Sequence, residues 1–175
     1  PFLLDSGDSF DSLTLAYETY GSLNDEASNA ILVFHALTGS QHAAGINTCV
    51  PEAAPYWNNE CVSGWWDAFI GPGKALDSDR YFIICANYIG GCYGSTGPRS
   101  TNPATGKPYG SVFPQVTAWD VVRSQLQLLD HLGIQCLHAA IGASLGGMLS
   151  FLLATRRPYR VKKVIPIATG LETTV

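Results

Sequence analysis

One stretch constrains this chain more than any other: Ile141-Gly142-Ala143-Ser144-Leu145-Gly146-Gly147-Met148. It contains G-x-S-x-G with Ser144 at its centre. An apolar run over 136–141 leads in, and a second over 149–154 leads out towards Pro158. The first is short enough for a buried strand, and the second belongs to a segment that suits a buried helix over Leu145–Arg156. Strand, sharp turn and helix together make an elbow that presents a serine as a nucleophile. The turn must hold that serine in a strained conformation, at about 1–3 kcal/mol. Gly142 and Gly146 carry no Cβ, so strand and helix can approach closely. A glycine-rich turn with an idle serine has the same pentapeptide, but the apolar runs on both sides favour the nucleophile.

The chain has 175 residues, of which 46 % are apolar and only 14 % charged. That is enough for one domain with a substantial core, and too apolar for a disordered chain. The net charge is −4 and the basic residues are scattered, so nucleic acid is not an expected partner. No apolar run approaches the length of a membrane span. The first residues, Pro1-Phe2-Leu3-Leu4-Asp5, show no targeting pattern and no initiator Met, so the sequence reads as beginning inside a longer one. The five cysteines are odd in number and form no C-x-x-C. That argues against a disulfide framework or a zinc site. Cys85 and Cys136 read as small core residues, and reduced thiols fit a cytoplasmic protein.

Residues 12–20 alternate in hydropathy, which predicts a strand, antiparallel at one end of a sheet. Ala30–Phe34 and residues 81–86 are short unbroken apolar runs, as interior parallel strands require. Between them, residues 35–80 are irregular, too long for an ordinary connection and therefore functional in expectation. Trp57, Trp65, Trp66 and Phe69 are expected to pack this segment down or to line a pocket, with packing the role of most of them. A second long loop covers 87–110. It is not a phosphate-binding P-loop, because Thr101 stands at the first glycine position and Pro108 follows Gly106-Lys107. Residues 117–132 form an amphipathic helix, with Trp119, Val122, Leu126 and Leu129 on one face, Thr117 as N-cap and Gly133 as terminator. Residues 161–167 read as a last strand, weakened by Pro166. This order predicts an α/β fold: an open, mostly parallel sheet with helices on both faces. His35, Asn87, Ser144 and Ala168 follow strand ends and should share one rim, where such sheets bind ligands.

An acyl-transferring serine needs a base, a residue that orients the base, and donors for the oxyanion. The N–H of Leu145, just after Ser144 at a helix N-terminus, is one donor. The other is expected from the loop His35-Ala36-Leu37-Thr38-Gly39. No base is evident. His35, His42, His131 and His138 all precede Ser144, whereas the order in such folds is Ser, acid, His. His131 and His138 read as solvated or structural, with His138 at the far end of the strand from the rim. His35 suits the oxyanion loop. After Ser144 the only carboxylate is Glu172, and there is no histidine.

The sequence resembles the homoserine O-acyltransferases, α/β-hydrolase-fold enzymes of methionine biosynthesis. The resemblance rests on Leu15-Ala16-Tyr17-Glu18-Thr19-Tyr20-Gly21, His35-Ala36-Leu37-Thr38-Gly39, Gly64-Trp65-Trp66-Asp67 and Gly71-Pro72-Gly73-Lys74-Ala75. It continues through Asp79-Arg80-Tyr81-Phe82, Gly90-Gly91-Cys92-Tyr93-Gly94-Ser95-Thr96-Gly97-Pro98, Asn102-Pro103 and the Ser144 segment. It implies that Ser144 takes an acyl group from acetyl-CoA or succinyl-CoA and passes it to the hydroxyl of L-homoserine, with ping-pong kinetics. CoA is then a co-substrate, and no permanently bound cofactor or metal is implied. The family's oxyanion donors map to the backbone amides of Leu37 and Leu145. Its triad Asp and His, and its substrate-binding Arg and Asp, lie beyond Val175. A homodimer is common in the family.

Residues 1–175 are therefore expected to be the N-terminal portion of a single α/β-hydrolase domain, with the C-terminal strands and lid missing. Alone, such a chain should be essentially inactive, since a serine without its base loses on the order of a millionfold in rate. It should also expose an unpaired sheet edge. A serine O-acyltransferase, an esterase of the same fold and a non-catalytic fragment are the other readings, because fold does not fix substrate.

Overall fold

The computed structural model describes residues 1–53 and 56–170. A five-stranded sheet forms its centre. Its strands are β1 (Tyr17–Tyr20), β2 (Ala30–Phe34), β3 (Phe82–Ala86), β4 (Ala139–Ala143) and β5 (Val164–Ile167). Their spatial order is β5-β4-β2-β3-β1. β2 to β5 run parallel, and β1 closes one edge antiparallel to β3. The three inner strands are the unbroken apolar runs, since a strand covered on both faces has no solvent side to spend polar residues on. Every residue of β2 is buried.

Two helices follow the sequence closely. α1 (Ala118–His131) begins at a Thr117 cap whose side chain accepts the Asp120 N–H, while Asp120 reciprocates to the Thr117 N–H. Gly133, at φ +76°, lies just past its end. α2 (Leu145–Arg156) leaves the sheet directly from β4. Both pack on one face, where Val122, Leu126, Leu129, Leu149 and Leu153 meet Leu32, Phe34, Ile84 and Ala140.

The expectation of helices on both faces is not met among the described residues. The opposite face, with Ile31, Val33, Ile83, Cys85 and Ile141, is covered by the irregular segment after β2. Ala43, Ala44, Ile70 and Leu76 pack there, with Trp65 and Trp66 alongside. Glycines, prolines and asparagines break any 3.6-residue apolar period in that segment, so it covers the sheet as pinned loop rather than helix. Phe69, by contrast, is exposed.

The strand limits also shift. The ladder of β1 starts only at Tyr17. Upstream, Thr14 and Ala16 bond to the glycine-rich loop, through Thr14 N–H to Thr96 Oγ1 (2.9 Å), Thr96 N–H to Thr14 O (2.9 Å) and Ala16 N–H to Ser95 Oγ (3.0 Å). β3 has ended by then, so the Ser95 and Thr96 hydroxyls stand in for its carbonyl acceptors, while the backbone N–H groups of Asn87 and Thr96 still donate. β4 runs two residues past Ile141 to Ala143, because Gly142 and Ala143 pair with Pro166 and Ile167. Pro166 is tolerated because β5 lies at the edge; among the described residues no strand pairs with its outer side, and Ile165 and Ile167 are exposed.

Candidate active site

The sheet register brings the strand ends together. Phe34 lies opposite Gly142, Cys85 opposite Val33, and Ile167 opposite Ala143. His35, Asn87, Ser144 and Ala168 therefore leave the sheet at one rim, as the strand order predicts. Glu172 lies outside the described residues.

Ser144 sits at φ 53°, ψ −122°, a region open to glycine and strained for any residue with a Cβ. Its N–H donates to Ile167 O (3.0 Å), and its carbonyl accepts from Gly147 N–H (2.9 Å) and Met148 N–H (3.2 Å). The strain is held by the crossing of two backbones. A Cβ on Gly146 would stand 2.1 Å from Phe34 O, and one on Gly142 would stand 2.3 Å from Gly146 C. Nothing larger than glycine fits either place. The result lifts Ser144 out of the sheet into solvent at the head of α2.

Leu145 is the first residue of α2, so its N–H has no intrahelical acceptor and lies at the positive end of the helix dipole. Leu37 occupies the tip of a turn that closes with Gly39 N–H to Ala36 O at 2.9 Å. The two residues are remote in sequence, yet both line one cavity of about 660 Å³. Tyr88, Tyr93, Phe113 and Val121 supply much of its apolar wall. Ser144 is not itself in the lining and borders the cavity through Leu145.

The histidines take up other duties. His35 is buried at 2 % exposure and stacks on Tyr88, with ring centroids 3.7 Å apart. Burial holds its imidazole well below the ordinary 6.5, at about 4. His138 stands before β4, at the end away from the rim, against Lys163 Nζ (3.1 Å) and the Tyr81 ring. His131 is exposed in the last turn of α1.

His42 belongs to a network that the sequence reading missed. Its Nδ1 lies 2.8 Å from Glu18 Oε2, and its Nε2 lies 3.1 Å from Val62 O. Tyr20 Oη also donates to Glu18 Oε2 (2.8 Å) while accepting from the N–H groups of Ala43 (2.8 Å) and Ala44 (3.0 Å). The Glu18 carboxylate raises the Tyr20 phenol, but burial raises it more. One signal was present: Glu18 shares the inward face of β1 with Tyr20, and an inward carboxylate demands partners.

The arrangement is that of an α/β hydrolase. A family model for the alpha/beta hydrolase fold matches residues 29–174, and the chain belongs to that family. Within it, the chain is similar to homoserine O-acetyltransferases. It is 54 % identical to that of Moorella thermoacetica over 98 % of this chain and 43 % of the relative. With that of Methanosphaerula palustris the identity is 53 %, over 99 % and 34 %. Among solved structures, homoserine O-acetyltransferase from Bacillus anthracis superposes with a TM-score of 0.86 at 37 % identity, over 99 % of this chain and 46 % of that one. Esterase E22 superposes at 0.83 with 40 % identity, over 96 % and 45 %. The chain thus spans less than half the length of each of these relatives.

Proposed function

We propose that this chain carries the nucleophile and oxyanion site of an acyltransferase that moves an acetyl group from acetyl-CoA to L-homoserine, a step of methionine biosynthesis. The observation that carries the reading is the strained Ser144 at the head of α2, in a chain 54 % identical to a homoserine O-acetyltransferase. Ser144 Oγ attacks the thioester carbonyl, and CoA leaves as its thiol. The homoserine hydroxyl then attacks the acyl-serine and releases O-acyl-homoserine and free Ser144. In both steps the backbone N–H groups of Leu37 and Leu145 receive the negative oxygen. Removing one such donor typically costs about 2.7–4 kcal/mol of transition-state stabilisation.

A base must take the Ser144 proton. None of the four histidines here is placed for it, and we assign the base and its carboxylate to the part of the relatives' length that this chain does not span. Succinyl-CoA remains the alternative donor. The five free thiols support a reducing, cytoplasmic setting.

An esterase is the second reading, favoured by the 40 % identity to esterase E22. The test is CoA release by the protein as it occurs in its source, with and without homoserine. Sustained release that requires homoserine, and that Ser144→Ala abolishes, supports the transferase. Sustained release without homoserine, or rapid hydrolysis of simple acetyl esters, favours the esterase. Turnover by Ser144→Ala refutes the nucleophile.

A further inference from the structure

The turn that carries Leu37 poses a physical problem. Leu37 is 77 % exposed, so among the described residues no packing of its side chain sets the direction of its N–H. A backbone donor that wanders cannot stabilise an oxyanion, because the benefit depends on its being aimed before the charge appears. Something else must hold the peptide.

We propose that His35 is a positioning residue that aims the Leu37 N–H through the peptide group joining Ala36 to Leu37. This rests on the oxyanion role assigned to Leu37 above. His35 Nδ1 lies 2.7 Å from Ala36 O. A carbonyl oxygen only accepts, so Nδ1 carries the proton. Ala36 C=O and Leu37 N–H belong to one planar unit and point in opposite directions. Fixing the carbonyl therefore fixes the amide. Gly39 N–H donates to the same oxygen at 2.9 Å, so both acceptor sites of Ala36 O are used. Donors on the carbonyl also polarise the amide on the far side of the same unit.

The ring is itself immobilised. It stacks on Tyr88 with an interplanar angle of 16°. The Tyr88 hydroxyl donates to the carbonyl of His35 at 2.6 Å, so one aromatic residue holds both the face of the ring and the backbone beneath it. Gly39 closes the turn against the imidazole: a Cβ there would stand 2.9 Å from His35 Cβ and 3.1 Å from Nδ1. The buried ring stays neutral across the neutral pH range, which keeps its single proton available for Ala36. His35 Nε2 has no partner among the described residues.

The test uses the protein as it occurs in its source, with acetyl-CoA and homoserine. His35→Phe keeps a ring to stack on Tyr88 and removes the donor. His35→Asn gives up the ring and returns an N–H donor near the position of Nδ1. The two half-reactions are read separately, as the burst of CoA and as transfer to homoserine, because both pass through an oxyanion. His35→Phe should slow both rate constants by about tenfold to hundredfold and leave KM for acetyl-CoA unchanged, and His35→Asn should recover most of the loss. Full rates in folded His35→Phe would overturn the inference, as would an equal loss in both variants or a change confined to KM. Should His35→Phe fail to fold, His35→Asn decides alone: near-normal rates support the inference, and a tenfold or greater loss overturns it. Ser144→Ala separates this question from the last. If it retains turnover, the nucleophile reading fails; if it is inactive while His35→Phe runs at full rate, only the positioning role fails.

Discussion

Replacing Ser144 by glycine and, separately, by alanine isolates the strain stored at the elbow. Both substitutions delete the hydroxyl. Only alanine keeps the Cβ that makes φ 53°, ψ −122° unfavourable. Holding a residue with a Cβ in such a region costs about 1–3 kcal/mol. Glycine removes that cost but loses about 0.5–1 kcal/mol more through its freer unfolded chain. The balance makes Ser144→Gly more stable than Ser144→Ala by up to about 2.5 kcal/mol. Urea unfolding followed by circular dichroism reads this difference as a shift in midpoint at constant slope. At about 2–4 °C per kcal/mol for a domain of this size, thermal melts should show the same order. If Ser144→Gly proved less stable than Ser144→Ala by the full cost of about 0.5–1 kcal/mol that glycine carries at an unstrained site, the elbow would hold no strain. The glycines around it would then need another explanation.

Two further outcomes follow, the first from the same crossing and the second from the burial of His35. Gly146→Ala sets a Cβ 2.1 Å from Phe34 O and 2.7 Å from Phe34 C; both belong to the backbone of a central strand, so the cost should reach or exceed about 3 kcal/mol, and a urea midpoint within error of the parent would refute it. His35 makes stability depend on pH. Its folded value, about 4, lies below the ordinary 6.5, so the unfolded chain binds the extra proton first. Its contribution is then complete above pH 6.5 and declines as pH falls towards 4, by about 3 kcal/mol in all. Urea midpoints measured from pH 7 to pH 4 should fall less steeply in His35→Phe than in the parent.

Much of the fold is legible in local pattern. Ala30–Phe34 is a strand because five consecutive apolar residues can be buried only on both faces of a sheet. α1 could be located from Thr117, Asp120 and Gly133, whose roles are set within one turn of either helix end. Ser144 could be located because strand, glycines and helix are contiguous in the chain. Strand limits were less legible. Residues 13–16 have strand alternation, but their partners, Ser95 and Thr96, lie in a distant loop. The face covered by residues 40–76 was not legible either, since irregular chain has no period to read.

The sequence by itself determined the elements, their order, the elbow and the loop opposite it, because each depends on residues within a few positions of one another. Only the tertiary structure decided what the histidines do. His35 and His42 lie seven residues apart, and although local pattern puts His35 at a strand end it does not show what either ring meets. One meets the Tyr88 ring and the Ala36 carbonyl; the other meets Glu18 and the Val62 carbonyl. Their fates diverge because a histidine's tautomer and mobility are set by whatever surrounds its two nitrogens. Here much of that surrounding comes from chain segments that the sheet brings together.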